Sequence, residues 1–166
     1  MLIKGIYMQV KSLLFLMALL GLSLMHPLEA RAESDGFRGI KWGASFKSVA
    51  NMNYVRSNDA NGTMYYSRSS DALKHDGAIV NKIEYGFLND KLVDVVIEAT
   101  GAANCKSLKD SSLEEFGLPT EELHGKLFKW QGDTVVRVYL EKPDGSTCIL
   151  KMGSTTTAPV SSSAKQ

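Results

Sequence analysis

Residues 83–100 read IEYGFLNDKLVDVVIEAT. Apolar and polar side chains alternate along it, which is the period of a β-strand. In the first arm Ile83, Tyr85 and Phe87 share one side, and Lys82, Glu84 and Gly86 take the other. In the second arm Val93, Val95, Ile97 and Ala99 share a side opposite Asp94 and Glu98. Asn89 and Asp90 interrupt the run, and both residue types tolerate positive φ. The stretch is therefore a β-hairpin. A loop with an even residue count sets Asp94 beside Tyr85. An odd loop gathers Ile83, Tyr85, Val93, Val95 and Ile97 on one side. A slip of one residue exchanges the faces, so the burial pattern predicts a three-residue turn with a bulge. One apolar and one charged face predict a sheet covered on one side only.

Downstream, Asn104 has N-cap chemistry. Cys105, Leu108, Ser112 and Phe116 then fall on one helical stripe with Leu113 beside it, and Gly117, Leu118 and Pro119 stop the helix. Residues 121–125, with His124, read as a loop. Three strands follow, 126–130, 134–141 and 146–152, joined by Gln131-Gly132-Asp133 and Pro143-Asp144-Gly145. Three-residue loops at both turns predict a buried row of Phe128, Trp130, Val136, Val138, Leu140, Cys148 and Leu150. They leave Leu127, Lys129, Val135, Arg137, Tyr139 and Glu141 outside. Upstream, Gly39 to Gly43 is extended. Ser45 caps a short helix carrying Phe46, Val49 and Ala50. Residues 63–68 form a strand, and 69–77 a polar loop with His75. The expected fold is α+β, an antiparallel sheet with two helices packed on one face, laid out as an αβββ unit occurring twice.

The N-terminus carries Lys4 and Lys11, an apolar run at 12–25, and Ala30-Arg31-Ala32. This is the pattern of a cleaved signal peptide over 1–32, cut after Ala32. The apolar run of ~14 residues falls short of the ~20 that span a bilayer, so no stable membrane anchor is expected. The expected organisation continues with a mobile segment at 33–38, a single domain at 39–152 and a disordered tail at 153–166. The formal net charge of the whole chain is +1. Removing Lys4, Lys11, Arg31 and Glu29 takes it to about −1, without a basic run, which argues against a nucleic-acid partner. Two cysteines in an exported chain, Cys105 and Cys148, predict a disulfide. The helix stripe carries one of them and the buried strand row the other. A helix lying on that face brings them together.

Chemistry is sparse. There is no G-x-S-x-G elbow, phosphate-cradling glycine loop, dinucleotide fingerprint or metal-ligand spacing. No cofactor, catalytic residue or metal ligand is assigned. The two histidines beyond residue 32, His75 and His124, sit in expected loops. A small periplasmic enzyme or ligand carrier would need them to converge with a carboxylate such as Asp71, Asp76 or Glu122. Trp130 reads as core, and Trp42 as a plug at one end of the sheet. Leu127, Lys129, Arg137 and Tyr139 share the expected outer face, and aromatic and arginine side chains anchor protein interfaces. The leading expectation is a periplasmic or secreted, non-catalytic module that binds an envelope protein through these four residues.

The stretches RGIKWGASFKSV, YGFLNDKLVDV, EEFGLP and FKWQGDTVVRVYLE resemble small exported bacterial domains of uncharacterised kind. The layout is also similar to the β-lactamase-inhibitor-protein and SmpA/OmlA outer-membrane-assembly lipoprotein group, which carries helices on one face of an antiparallel sheet. That resemblance implies protein binding without catalysis. The chain departs from the group in lacking a lipidation cysteine at the cleavage site and in having single helices where the group has helix pairs.

Overall fold

The computed structural model describes residues 35–155. The expected signal peptide with its cleavage after Ala32, and residues 156–166 of the expected tail, lie outside the described residues.

The hairpin forms as β7 (Lys82–Leu88) and β8 (Lys91–Thr100). Its turn holds two residues, not three. Asn89 and Asp90 adopt φ of 49° and 68°, the left-handed pair that matches strand twist in a tight hairpin. The parity change sits in the strand instead. Gly86 pairs with Asp94 while Phe87 pairs with Leu92, so Val93 is the extra residue of a bulge. Beyond it Tyr85 faces Val95 and Ile83 faces Ile97, and all four are buried.

This hairpin is the centre of one eight-stranded antiparallel sheet. Its other strands are β3 (Met52–Asn58), β4 (Thr63–Arg68), β9 (Glu121–Leu123), β10 (Leu127–Gln131), β11 (Val135–Glu141) and β12 (Thr147–Ser154). Their spatial order is β3-β4-β7-β8-β12-β11-β10-β9. Two small hairpins lie outside the sheet, β1 (Gly36–Phe37) with β2 (Ile40–Lys41), and β5 (Lys74–His75) with β6 (Ala78–Ile79). Among the described residues one α-helix, α1 (Ala102–Phe116), crosses one face and contacts β6, β8, β11 and β12.

The expectation of two helices on a sheet, and with it the αβββ repeat, does not hold. Ser45 does cap, accepting a hydrogen bond from the Lys47 amide at 3.2 Å, but only one 3-10 turn follows, Phe46–Ser48. Val49 is already extended, and Asn51 at φ 62° turns the chain into β3. A helix this short cannot repay its nucleation cost. The segment instead joins the core directly. Gly43 donates to the Leu92 carbonyl, Leu92 donates to Ala44, and Phe46 packs edge-on to Phe87 at 5.3 Å. The domain also starts earlier and ends later than expected. Phe37 is buried within β1, and β12 continues through Gly153 to Ser154.

The second helix follows its stripe. Cys105, Leu108 and Ser112 are buried, and Leu113 and Phe116 pack on the core. Its cap is Gly101 instead of Asn104, and Gly117 at φ 76° ends it by donating to the Leu113 carbonyl. Cys105 on α1 and Cys148 on β12 form the disulfide, with Cα atoms 5.6 Å apart. Among the described residues no helix is long and apolar enough to cross a membrane.

Candidate functional site

The last three strands decide what the sheet shows to solvent. Gln131 pairs with Val136 across the β10–β11 turn, and Glu141 pairs with Cys148 across the β11–β12 turn. Both loops contain an even number of residues, not three. The two parity errors cancel for β10 and β12, so Phe128, Trp130, Cys148 and Leu150 are buried as expected. They invert β11. Arg137 and Tyr139, expected outside, face the core, and Val136, Val138 and Leu140 face away from the helix.

Tyr139 is fully buried. Its hydroxyl donates to the Cys105 carbonyl (3.1 Å) or the Glu141 carboxylate (3.0 Å), and burial raises its pKa with help from Glu141. The Arg137 guanidinium stacks on the Phe116 ring at 4.5 Å. Neither side chain is available to a partner. Leu127 and Lys129 remain on the uncovered face and half-buried.

Directly paired residues share a side of the sheet, so rows can be followed from strand to strand. Leu123, Leu127, Leu140, Ile149, Glu98 and Lys82 form one row on the uncovered face. Glu121, Lys129, Val138, Lys151, Val96 and Glu84 form the next. The face divides into an aliphatic half over β9–β12 and an ionic half over β3, β4, β7 and β8. On the aliphatic half Leu123 is 53% and Leu140 47% exposed.

The ionic half pairs its charges internally. Glu84 is 1% exposed, and its Oε2 accepts from Arg56 Nε at 3.0 Å and Nη2 at 2.7 Å. The Arg56 guanidinium also lies 3.7 Å over the Tyr65 ring, and its pKa is raised chiefly by the Glu84 hydrogen bond. Lys82 stands 3.5 Å from Glu84 and 3.4 Å from Glu98. Asp94 Oδ2 takes the Tyr65 hydroxyl at 2.9 Å and Lys151 Nζ at 3.0 Å. Burial pushes the Tyr65 pKa up, and Asp94 adds to this. Asp94 Oδ1 is buried without a hydrogen-bond partner and rests against Gly86. A methyl at Gly86 would overlap that oxygen and come 2.9 Å from Tyr65 Cε1. Gly86→Ala is expected to destabilise by about 1–3 kcal/mol, because a buried carboxylate must leave its partners. Urea unfolding measures this, and an unchanged midpoint would show that the cluster is slack.

The two histidines do not converge as one site. His124 and Gly125, at φ 52° and 65°, make the exposed turn between β9 and β10. His75 lies on the β5–β6 hairpin, 5.7 Å from the Phe37 ring, with its Nε2 3.3 Å from Asp76. Burial lowers its proton affinity, opposed by Asp76 and reinforced by Arg38. Asp71 is engaged elsewhere, between Arg68, Arg38 and the Tyr85 hydroxyl. Trp130 is core, its indole donating to the Gly117 carbonyl at 2.9 Å. Trp42 is half-buried at the wall of an open cleft of about 760 Å³ that also includes Ser48, Asn51, Arg68 and Ser70.

No protein-family model, no curated protein and no solved structure matches this chain.

Proposed function

We propose that the chain is an exported, non-catalytic binding module that docks on a protein of the bacterial envelope through the aliphatic half of its uncovered sheet face. One observation carries this reading: β11 turns Val136, Val138 and Leu140 outward while burying Arg137. Val135, Tyr139 and the Arg137–Phe116 contact take the inward side, so the three aliphatic side chains are left on the uncovered face, Val136 and Val138 half-buried and Leu140 exposed. The outward residues continue the aliphatic surface of β9, β10 and β12 through Leu123, Leu127 and Ile149. The partner surface is therefore apolar, closing over these side chains, with Lys129, Glu121 and Lys151 at its polar rim. The ionic half saturates its own charges and contributes little to docking. The disulfide fits an oxidising compartment, and the N-terminal signal pattern supports export to the periplasm.

Leu123→Lys with Leu140→Lys tests this. Both positions are exposed, so stability should shift by no more than about 1 kcal/mol. Capture of the partner by crosslinking and pull-down from native envelope should fall at least about tenfold, since a central aliphatic anchor is worth 1–2 kcal/mol or more. Undiminished capture with an intact fold rejects the face.

A further inference from the structure

Three groups of metal-donor chemistry meet away from the docking face. His75 ends β5, Asp76 opens the tight turn to β6, and Glu115 lies in the last turn of α1. One donor atom from each, an imidazole nitrogen and two carboxylate oxygens, lies within 4.8 Å of the others. The imidazole is only 14% exposed and is seated against Phe37, so its position is set by packing.

The end of the helix supplies an independent argument. The last turn of α1 holds Glu114 and Glu115 and no basic residue. The carbonyls at a helix C-terminus carry partial negative charge, which favours a cation there; Arg137 on the Phe116 ring supplies one from β11, and Glu115 lies where an ion would add to it. Glu115 thus sits where a positive ion gains from the helix as well as from its ligands.

We propose that His75, Asp76 and Glu115 bind one divalent first-row transition ion, with Zn²⁺ the best match. One imidazole and two carboxylates suit Zn²⁺, leaving a fourth position for water, whereas the nitrogen ligand disfavours Ca²⁺ and Mg²⁺. Donors about 2.0–2.2 Å from a tetrahedral ion stand roughly 3.5 Å apart. His75 Nε2 and the Asp76 carboxylate already stand 3.3 Å apart, and all three donors lie within 4.8 Å of one another. Arg38, which donates to the carbonyls of Ala72 and Lys74 on the same segment, opposes the ion electrostatically. The bound ion ties the β5–β6 hairpin to α1, and the site shares no residue with the docking face.

Titration calorimetry with Zn²⁺ alone is expected to show one ion per chain. Glu115→Gln and Asp76→Asn, which keep side-chain shape, should each weaken binding by about tenfold or more, and His75→Ala should abolish it. His124→Ala should leave it unchanged. Co²⁺ should give visible bands of a tetrahedral site in the native protein and lose them in Glu115→Gln. Absence of Zn²⁺ binding, or binding unchanged in His75→Ala or in Glu115→Gln, overturns the site.

Discussion

Tyr139→Ala is expected to destabilise the domain by about 3–5 kcal/mol, the range for truncating a buried aromatic, and to lower Tm by roughly 10–20 °C. The side chain is fully buried, packs edge-on to Phe128 at 5.9 Å and bridges the sheet to α1 through the Cys105 carbonyl. Alanine leaves a cavity and removes the hydroxyl's hydrogen bond to the Cys105 carbonyl or the Glu141 carboxylate. Tyr139→Phe separates the two effects. It keeps the ring and removes the hydroxyl, and should cost about 1 kcal/mol. The pair of variants reads the register of β11 directly. Were Tyr139 on the surface, as three-residue loops on both sides of β11 would place it, neither substitution would move the urea midpoint measurably.

The second large effect concerns the cross-link. Cys105 and Cys148 close a loop of 43 residues, for which chain entropy predicts about 4 kcal/mol of stabilisation. Domains of this size commonly total about 5–15 kcal/mol. Loss of the bond, by reduction or by Cys105→Ser with Cys148→Ser, should therefore leave a marginal fold with a much lower urea midpoint. Both cysteines are 1% exposed, so the bond should resist mild reductant in the native state and yield once urea opens the domain. Mass spectrometry after alkylation gives the redox state. An unchanged midpoint with two alkylated thiols would mean that helix packing alone secures α1.

How far the sequence discloses this fold depends on how many solutions each pattern allows. Residues 83–100 are legible because Ile83, Tyr85, Val95 and Ile97 have one way to share a face. The bulge falls at Val93 and not in the turn, so Leu92 replaces Val93 at the core position opposite Phe87, while Ile83, Tyr85, Val95 and Ile97 share the buried face as their alternation predicts. The turn chemistry of Asn89-Asp90 is legible, whereas His124-Gly125 does not read as a turn between two strands, because β9 (Glu121–Leu123) is too short and polar to show an alternation. β11 is ambiguous by composition. Val136, Val138 and Leu140 occupy one parity, and Val135, Arg137 and Tyr139 the other. Only the lengths of the flanking loops choose between them, and an arginine at a buried position argues for the wrong choice. The residue that reverses that choice is Phe116, whose ring receives the Arg137 guanidinium from a different element. The first helix was overread for a related reason. Phe46, Val49 and Ala50 have helical spacing, but the run is too short to hold a helix against strand pairing.

The docking face inherits these limits. Leu127 and Lys129 were placed correctly, while Leu123, Leu140 and Ile149 emerge only when the rows are followed across β9–β12. The charged half was foreseen as Lys82, Glu84, Asp94 and Glu98. Its burial was not, because Arg56, Tyr65 and Lys151 reach it from strands distant in sequence. Two buried carboxylates on one hairpin face are the available signal, since such groups require partners.

Photo-crosslinking from single positions tests the docking face most directly. A photoreactive amino acid at position 140, on the uncovered face, is compared with one at position 118, where Leu118 is 92% exposed beyond the helix. In native envelope, position 140 should give a discrete protein adduct and position 118 none. Adducts from position 118 with none from position 140 would contradict the assignment of the uncovered face as the docking surface.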